Sequence, residues 1–260
     1  MCNVERVMCN GKTRPFLHRA ALNALCLSTL LLVWLSWLSL LSAEEPVTAI
    51  DSREAVWEEL LLQVRTLGDQ ERYTEAENVA EEAVRMAESI FGPTHLDTAY
   101  SLNMLASLSA AQGKFSETES LCRRALAIQE QGLKPNDPAI AYSQHLLAVA
   151  YHEQGKYAEA ERFYKRALAA REKTLGPEAP ETVSSLERLV LLYLDRGENS
   201  KAKRPLQRIL AIQEKTLGHE DPDTDMTRRA LKSIDSTEKA SWSRKREEFK
   251  EWAERQLLRR

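Results

Sequence analysis

His145 and His152 stand seven residues apart and are the first candidates for chemistry in this 260-residue chain. Seven residues is about two helical turns, so both imidazoles project from one helix face, an arrangement that invites a metal ion. No third ligand stands at a matching spacing, and the pair is read as non-metal. Of the four cysteines, Cys2, Cys9 and Cys26 lie at the N-terminus, leaving Cys122 alone in the rest of the chain. It has no partner there for a bridge and no CxxC neighbour for zinc, so it reads as a small buried hydrophobe. A glycine-rich phosphate loop, a GxSxG elbow, an HExxH helix and a dinucleotide fingerprint are all missing from the sequence. Carboxylates are abundant, but they follow helix-cap and solvated positions. The expectation is therefore no catalytic residue, no metal, no cofactor and no small-molecule substrate.

Composition narrows the class. Hydrophobic residues make up 43% and charged residues 29%, the balance of a well-solvated helical protein with a sizeable core. The net charge of −3 conceals an asymmetry. Arg6, Lys12, Arg14 and Arg19 face only Glu5 in the first 19 residues, and the segment from 236 to 260 is also basic, so the body between them is acidic. An acidic body argues against nucleic acid, whose binding depends on neutralising phosphates.

Elements that would hold any site begin after an apolar segment. Residues 20–43, AALNALCLSTLLLVWLSWLSLLSA, carry no charge and are long enough to span a bilayer. The basic flank before them, with Glu44, Glu45 and Asp51 after them, orients the segment with its N-terminus inside and the remainder exported. It reads as an uncleaved signal anchor by length, or as a signal peptide cleaved after Ala43 by the Leu41-Ser42-Ala43 sequence.

Internal self-similarity is the dominant signal. Blocks open at Gly92, Lys134, Gly176 and Gly218, a constant step of 42 residues, reading GPTHLDTA, KPNDPAIA, GPEAPETV and GHEDPDTD. Gln112-Gly113-Lys114-Phe115 returns as Gln154-Gly155-Lys156-Tyr157, and Leu133, Leu175 and Leu217 close successive blocks. Each block reads as a helical hairpin. Asp137-Pro138 and Asp221-Pro222 supply an N-cap acceptor before a proline at the first helical position. Leu147, Ala148 and Tyr151 share a face of the first helix, and Gly155 permits the left-handed turn that ends it. Ala160, Tyr164, Ala167 and Leu168 then form the packing stripe of the second helix, with Arg171 on its outer, solvated side. One hairpin cannot bury its apolar face alone, whereas a stack shares a continuous core.

These residues resemble the tetratricopeptide repeat, in the 42-residue form found in kinesin light chains and many bacterial proteins. The block from 134 to 175 carries the family's small residues and aromatics as Ala148, Tyr151, Ala160, Tyr164 and Ala167. The preceding block departs with Ser109, Thr118 and Cys122. The following one departs with Val190 and Ile209 and places Pro205 inside its second helix, where a backbone bond is lost. The expectation is an all-α solenoid of helical hairpins behind an N-terminal targeting or transmembrane helix, with a C-terminal capping helix. Its segments are 1–43, the signal anchor or peptide; 50–91, an irregular hairpin with Tyr73, Ala76 and Ala83; repeats at 92–133, 134–175 and 176–217; and 218–260, a degenerate repeat with a charged helix. In that last helix Phe249, Trp252, Ala253 and Leu257 share one face, which reads as a cap or, alternatively, as an amphipathic docking helix.

The resemblance implies that first helices line a concave groove and that their outward positions hold a protein or peptide. Those positions are Tyr100, Asn103 and Ser107; Tyr142, His145, Val149 and His152; and Ser184, Glu187, Leu191 and Leu194. The expected function is a non-enzymatic interaction scaffold, with a self-associating module and an accessory subunit of an envelope enzyme as alternatives. The expected location is a bacterial cell envelope, as a single-pass inner-membrane protein with periplasmic repeats or as a released form. The absence of an N-x-S/T site agrees with a bacterium.

Overall fold

The computed structural model describes residues 45–235 together with Phe249, Glu251 and Trp252. The apolar segment at 20–43 and the three N-terminal cysteines lie outside the described residues, as do Ala253 and Leu257. The chain divides into two compact units, Met1–Ser52 and Arg53–Arg260. All packing discussed below belongs to the second.

Among the described residues there are nine helices and no strand. They are α1 (Glu45–Asp69), α2 (Tyr73–Ile90), α3 (Leu96–Ala111), α4 (Phe115–Gly132), α5 (Pro138–Glu153), α6 (Tyr157–Thr174), α7 (Pro180–Asp195), α8 (Asn199–Thr216) and α9 (Pro222–Asp235). From α2 onward consecutive helices pack on one another, and α3 also touches α5 across the intervening α4. Odd-numbered helices from α3 are therefore the first helices of successive hairpins, and even-numbered ones are the second.

Local chemistry sets the ends. Asp137 accepts a hydrogen bond from the Ala139 amide at 2.9 Å, and Asp221 accepts one from the Asp223 amide at 2.9 Å. Where the aspartate is missing, His95 takes over and its Nδ1 accepts from the Asp97 amide at 3.3 Å. Gly155 closes α5 at φ 73°, with the Lys156 amide reaching back to the Tyr151 carbonyl at 2.8 Å. Gly113 and Gly197 do the same at φ 74° and 69°, but the corresponding place between α1 and α2 is held by Glu71 at φ 58°. A side chain in that left-handed region costs roughly 1–2 kcal/mol.

The core runs along the stack as three clusters. Ala76, Ala125, Ala160, Ala167 and Ala202 are each wholly buried, which lets neighbouring helices approach closely. Tyr164 and Cys122 occupy equivalent places in α6 and α4 and are both buried. Burial pushes the Cys122 thiol up to about 12, so it remains protonated at neutral pH. Pro205 lies inside α8 and is itself buried. Beyond α9, Phe249 and Trp252 are buried in the largest cluster, and the Trp252 indole donates to Asp223 at 2.6 Å. These two side chains pack against the stack.

One outward assignment is corrected. Arg171, expected on the solvated side of α6, is only 7% exposed. Its guanidinium donates to Ser185 Oγ at 2.8 Å and to the Glu181 carbonyl at 2.9 Å, so it ties α6 to the next hairpin.

Candidate binding groove

The repeat period extends to the polar groups sealed between hairpins. At the first regular junction Asn103 Nδ2 donates to Ser143 Oγ at 2.7 Å, and Ser143 donates to Gln129 Oε1 at 2.6 Å. One step along, Arg171 takes the place of Gln129, Ser185 that of Ser143 and His145 that of Asn103. Arg171 donates to Ser185 and approaches His145 Nδ1 at 3.4 Å. A further step holds Gln213, Thr227 and Glu187, all buried. Buried polar groups need partners, and these three positions form a polar seam at each of these three junctions, whereas the junction before α3 carries Leu61 and Ala87 at two of them. Burial, then the charges of Arg171 and Arg188, hold the His145 imidazole well below its ordinary range.

This sorts the eleven expected groove residues. Tyr100 and Tyr142 are exposed, at 44% and 41%, and Ser107, His145, Val149 and Ser184 are half-buried. Asn103, His152, Glu187, Leu191 and Leu194 are buried. The expectation that His152, Glu187, Leu191 and Leu194 face outward is corrected, with Glu187 in a seam and Leu191 and Leu194 in the largest core cluster. Asn103, though it belongs to a seam, also lines the cleft described next. His152 Nε2 lies 2.9 Å from Asp195 Oδ2, a contact to the next first helix. His145 and His152 both pack in T-shaped fashion against Tyr164, at 5.6 and 6.2 Å between ring centroids, so an aromatic ring is shared by the two imidazoles. Among the described residues no group of three metal-ligating side chains comes together.

What remains open is a cleft of about 510 Å³ between α3, the end of α4 and α5. Tyr100 and Tyr142 line it, Met104, Leu96 and Leu133 contribute apolar surface, and Asp97 and Asp137 supply its carboxylates. Ser107 hydrogen-bonds the Tyr142 phenol, whose pKa is nonetheless raised, chiefly by desolvation. Leu133 and Asp137 were not among the expected site residues. Leucines closing each block were visible in the sequence, but nothing there showed that the first would enter the groove.

A model of the tetratricopeptide repeat matches residues 60–131, 102–173 and 140–215, together more than half of the chain. The chain belongs to the tetratricopeptide-repeat family. Among solved structures, two of the nearly identical TPR-like repeats of a kinesin light chain candidate from Podosopora anserina are similar. One, a single-substitution form, is 26% identical with a TM-score of 0.61, covering 77% of this chain and 92% of that one. The other is 25% identical at 0.62, covering 78% and 95%. BtubC (BKLC) from P. vanneervenii is 21% identical at 0.60, covering 77% and 79%, a likeness of fold. No curated protein matches in sequence. Tetratricopeptide repeats are a fold typical of protein–protein interaction scaffolds, and no helix among the described residues is long and apolar enough to cross a membrane.

Proposed function

We propose that this tetratricopeptide-repeat protein is a non-enzymatic scaffold that binds a protein or peptide segment along its first helices. The observation that carries this is the cleft between α3 and α5, where two tyrosines stand exposed beside apolar surface. Large aromatic side chains that are rigid and half-wet are the usual anchors of binding surfaces. Hydrogen-bonding groups on the same walls suit a peptide backbone.

In this reading the repeats act outside the cytoplasm of a bacterium. Support comes from the uncharged stretch at 20–43 and the charge bias around it. Held uncleaved, that stretch is a tether; cut after Ala43, it releases the scaffold.

Tyr100→Ala with Tyr142→Ala should reduce partner recovery from solubilised envelopes strongly while leaving helical content unchanged. Undiminished recovery of the same defined partner would remove the groove from the reading. A C-terminal reporter active only outside the cytoplasm should be active, and activity of a cytoplasm-only reporter would overturn export.

A further inference from the structure

The third regular repeat lacks a side chain that the second one has. In the second, the Phe163 ring stacks on Tyr151 with centroids 5.7 Å apart. Arg162 and Arg166 lie over the same ring at 4.9 and 5.7 Å from its centroid. One 42-residue step later Tyr193 repeats Tyr151, Arg204 repeats Arg162, and Arg208 repeats Arg166. The place of Phe163 is taken by Pro205, which cannot reach the tyrosine in the same way. A cleft of about 550 Å³ opens there, with Leu168, Leu186, Leu189, Tyr193 and Pro205 as its apolar lining. It sits on the face of α7 opposite Ser184, Glu187 and Leu191, away from the first-helix groove, so it stands independently of that reading.

We infer that this cleft accepts an aromatic side chain from an acidic segment of a partner protein, which supplies the ring that Pro205 leaves out. The aromatic requirement comes from the retained surroundings. Tyr193 keeps its ring in the cleft wall, its phenol donating to Glu161 Oε1 at 2.9 Å and Lys201 lying over the ring at 5.9 Å from the centroid. Arg204 and Arg208 line the cleft at the positions of the two arginines that cover an aromatic ring one repeat earlier. The acidic requirement comes from charge. Lys165, Lys201, Arg204 and Arg208 line the cleft against Glu161 as its carboxylate. Lys165 and Glu161 are paired at 2.6 Å, Lys201 pairs with Glu198 at 2.9 Å, and Arg208 pairs with Glu172. Arg204 is exposed and forms no ion pair among the described residues, which leaves a cation at the mouth for a partner's carboxylate.

The test is a titration of the full chain with a fluorescently labelled acetyl-Asp-Asp-Phe-Asp-Asp-amide peptide, followed by anisotropy. Saturable binding is expected, weakened by about tenfold or more when the peptide's phenylalanine is replaced by alanine or its aspartates by lysine. Pro205→Phe, which restores the pattern of the second repeat, should fill the cleft and abolish binding without lowering the melting temperature. Arg204→Glu, a surface change, should weaken binding with helical content intact, and it decides the matter if Pro205→Phe fails to fold. Tyr100→Ala with Tyr142→Ala should leave the affinity unchanged. Absence of saturable binding at millimolar peptide, or equal affinity for the alanine peptide, would overturn the inference. So would a dimer seen by sedimentation and dissolved by Pro205→Phe, since a second copy would then be the occupant.

Discussion

Single residues in this protein are fixed by their position in the repeat more than by their chemical type. His145 shows it: a histidine that reads as a surface ligand in sequence stands where Asn103 stands one repeat earlier, in a seam beside Arg171. Its pKa is depressed in the fold, mainly by burial, whereas the unfolded chain takes up a proton near pH 6.5. Stability from this site is therefore complete above that pH and declines as the pH falls below it. Urea midpoints of the wild type should drop between about pH 7 and 5, and His145→Asn should flatten that slope; identical slopes would count against the assignment. Glu71→Gly should stabilise by about 1 kcal/mol, because glycine adopts φ 58° freely and Glu71 does not. A melting temperature unchanged or lowered would mean that the Glu71 side chain compensates its strain. Changing the wholly buried Ala167 to leucine should destabilise the fold by about 1–3 kcal/mol, read from the same urea midpoints. The caps and small residues were legible because each follows from one local rule. Arg171 was not: its role depends on Ser185, fourteen residues on, and helical spacing cannot show which neighbour covers a face.

Helices are joined by ion pairs whose carboxylates keep the same period, although in the third repeat the cation shifts to Arg196, at the position of Gln154, because Glu198 stands where Lys156 would repeat. Glu77 meets Lys114 at 2.6 Å, Glu119 meets Lys156 at 2.9 Å, and Glu161 meets Arg196 at 3.0 Å. Across the second helices Arg124 pairs with Glu88, Arg166 with Glu130, and Arg208 with Glu172. The latter pairs lie at the surface, exposed or half-exposed, and each contributes little. The former involve largely covered carboxylates. Glu77 is held below the usual carboxylate range, chiefly by the hydrogen bond from Lys114. For Glu119 and Glu161 burial acts upward, but hydrogen bonds from Lys156 and Lys165 among others bring the net shift down. With folded pKa values depressed, their stabilisation is present above about pH 4.5 and is lost as the pH falls through the folded values. Glu119→Gln should cost about 1 kcal/mol at pH 7 in chemical denaturation and close to nothing at pH 3. A loss that persists at pH 3 would point to packing instead. Helix order and boundaries were legible from the 42-residue step and the Gly and Asp-Pro signals. The open clefts were not, since they depend on what a neighbouring repeat fails to fill.

At the scale of the whole molecule the stack is held by neighbours alone, so its ends matter most. Phe249 and Trp252 close the far end within the largest core cluster. Trp252→Ala should destabilise by roughly 3 kcal/mol or more and should lower the unfolding midpoint of α7 to α9 before that of α2 to α4, read by hydrogen exchange. Uniform loss of protection along the chain would mean that the repeats unfold as one unit. Repetition also carries a hazard. Hairpins this alike can pair one step out of register, looping out 42 residues or recruiting a second chain. The three seams differ in content: Asn103, Ser143 and Gln129 are neutral amides and a hydroxyl, Arg171 brings a cation to Ser185 and His145, and Glu187 brings an anion beside the positions of Gln213 and Thr227. A slipped stack would bury Arg171 or Glu187 against a set of partners meant for another junction, and a buried charge without its own partners is expensive. The seams thus number the repeats, and a fold assembled from copies keeps its copies in order.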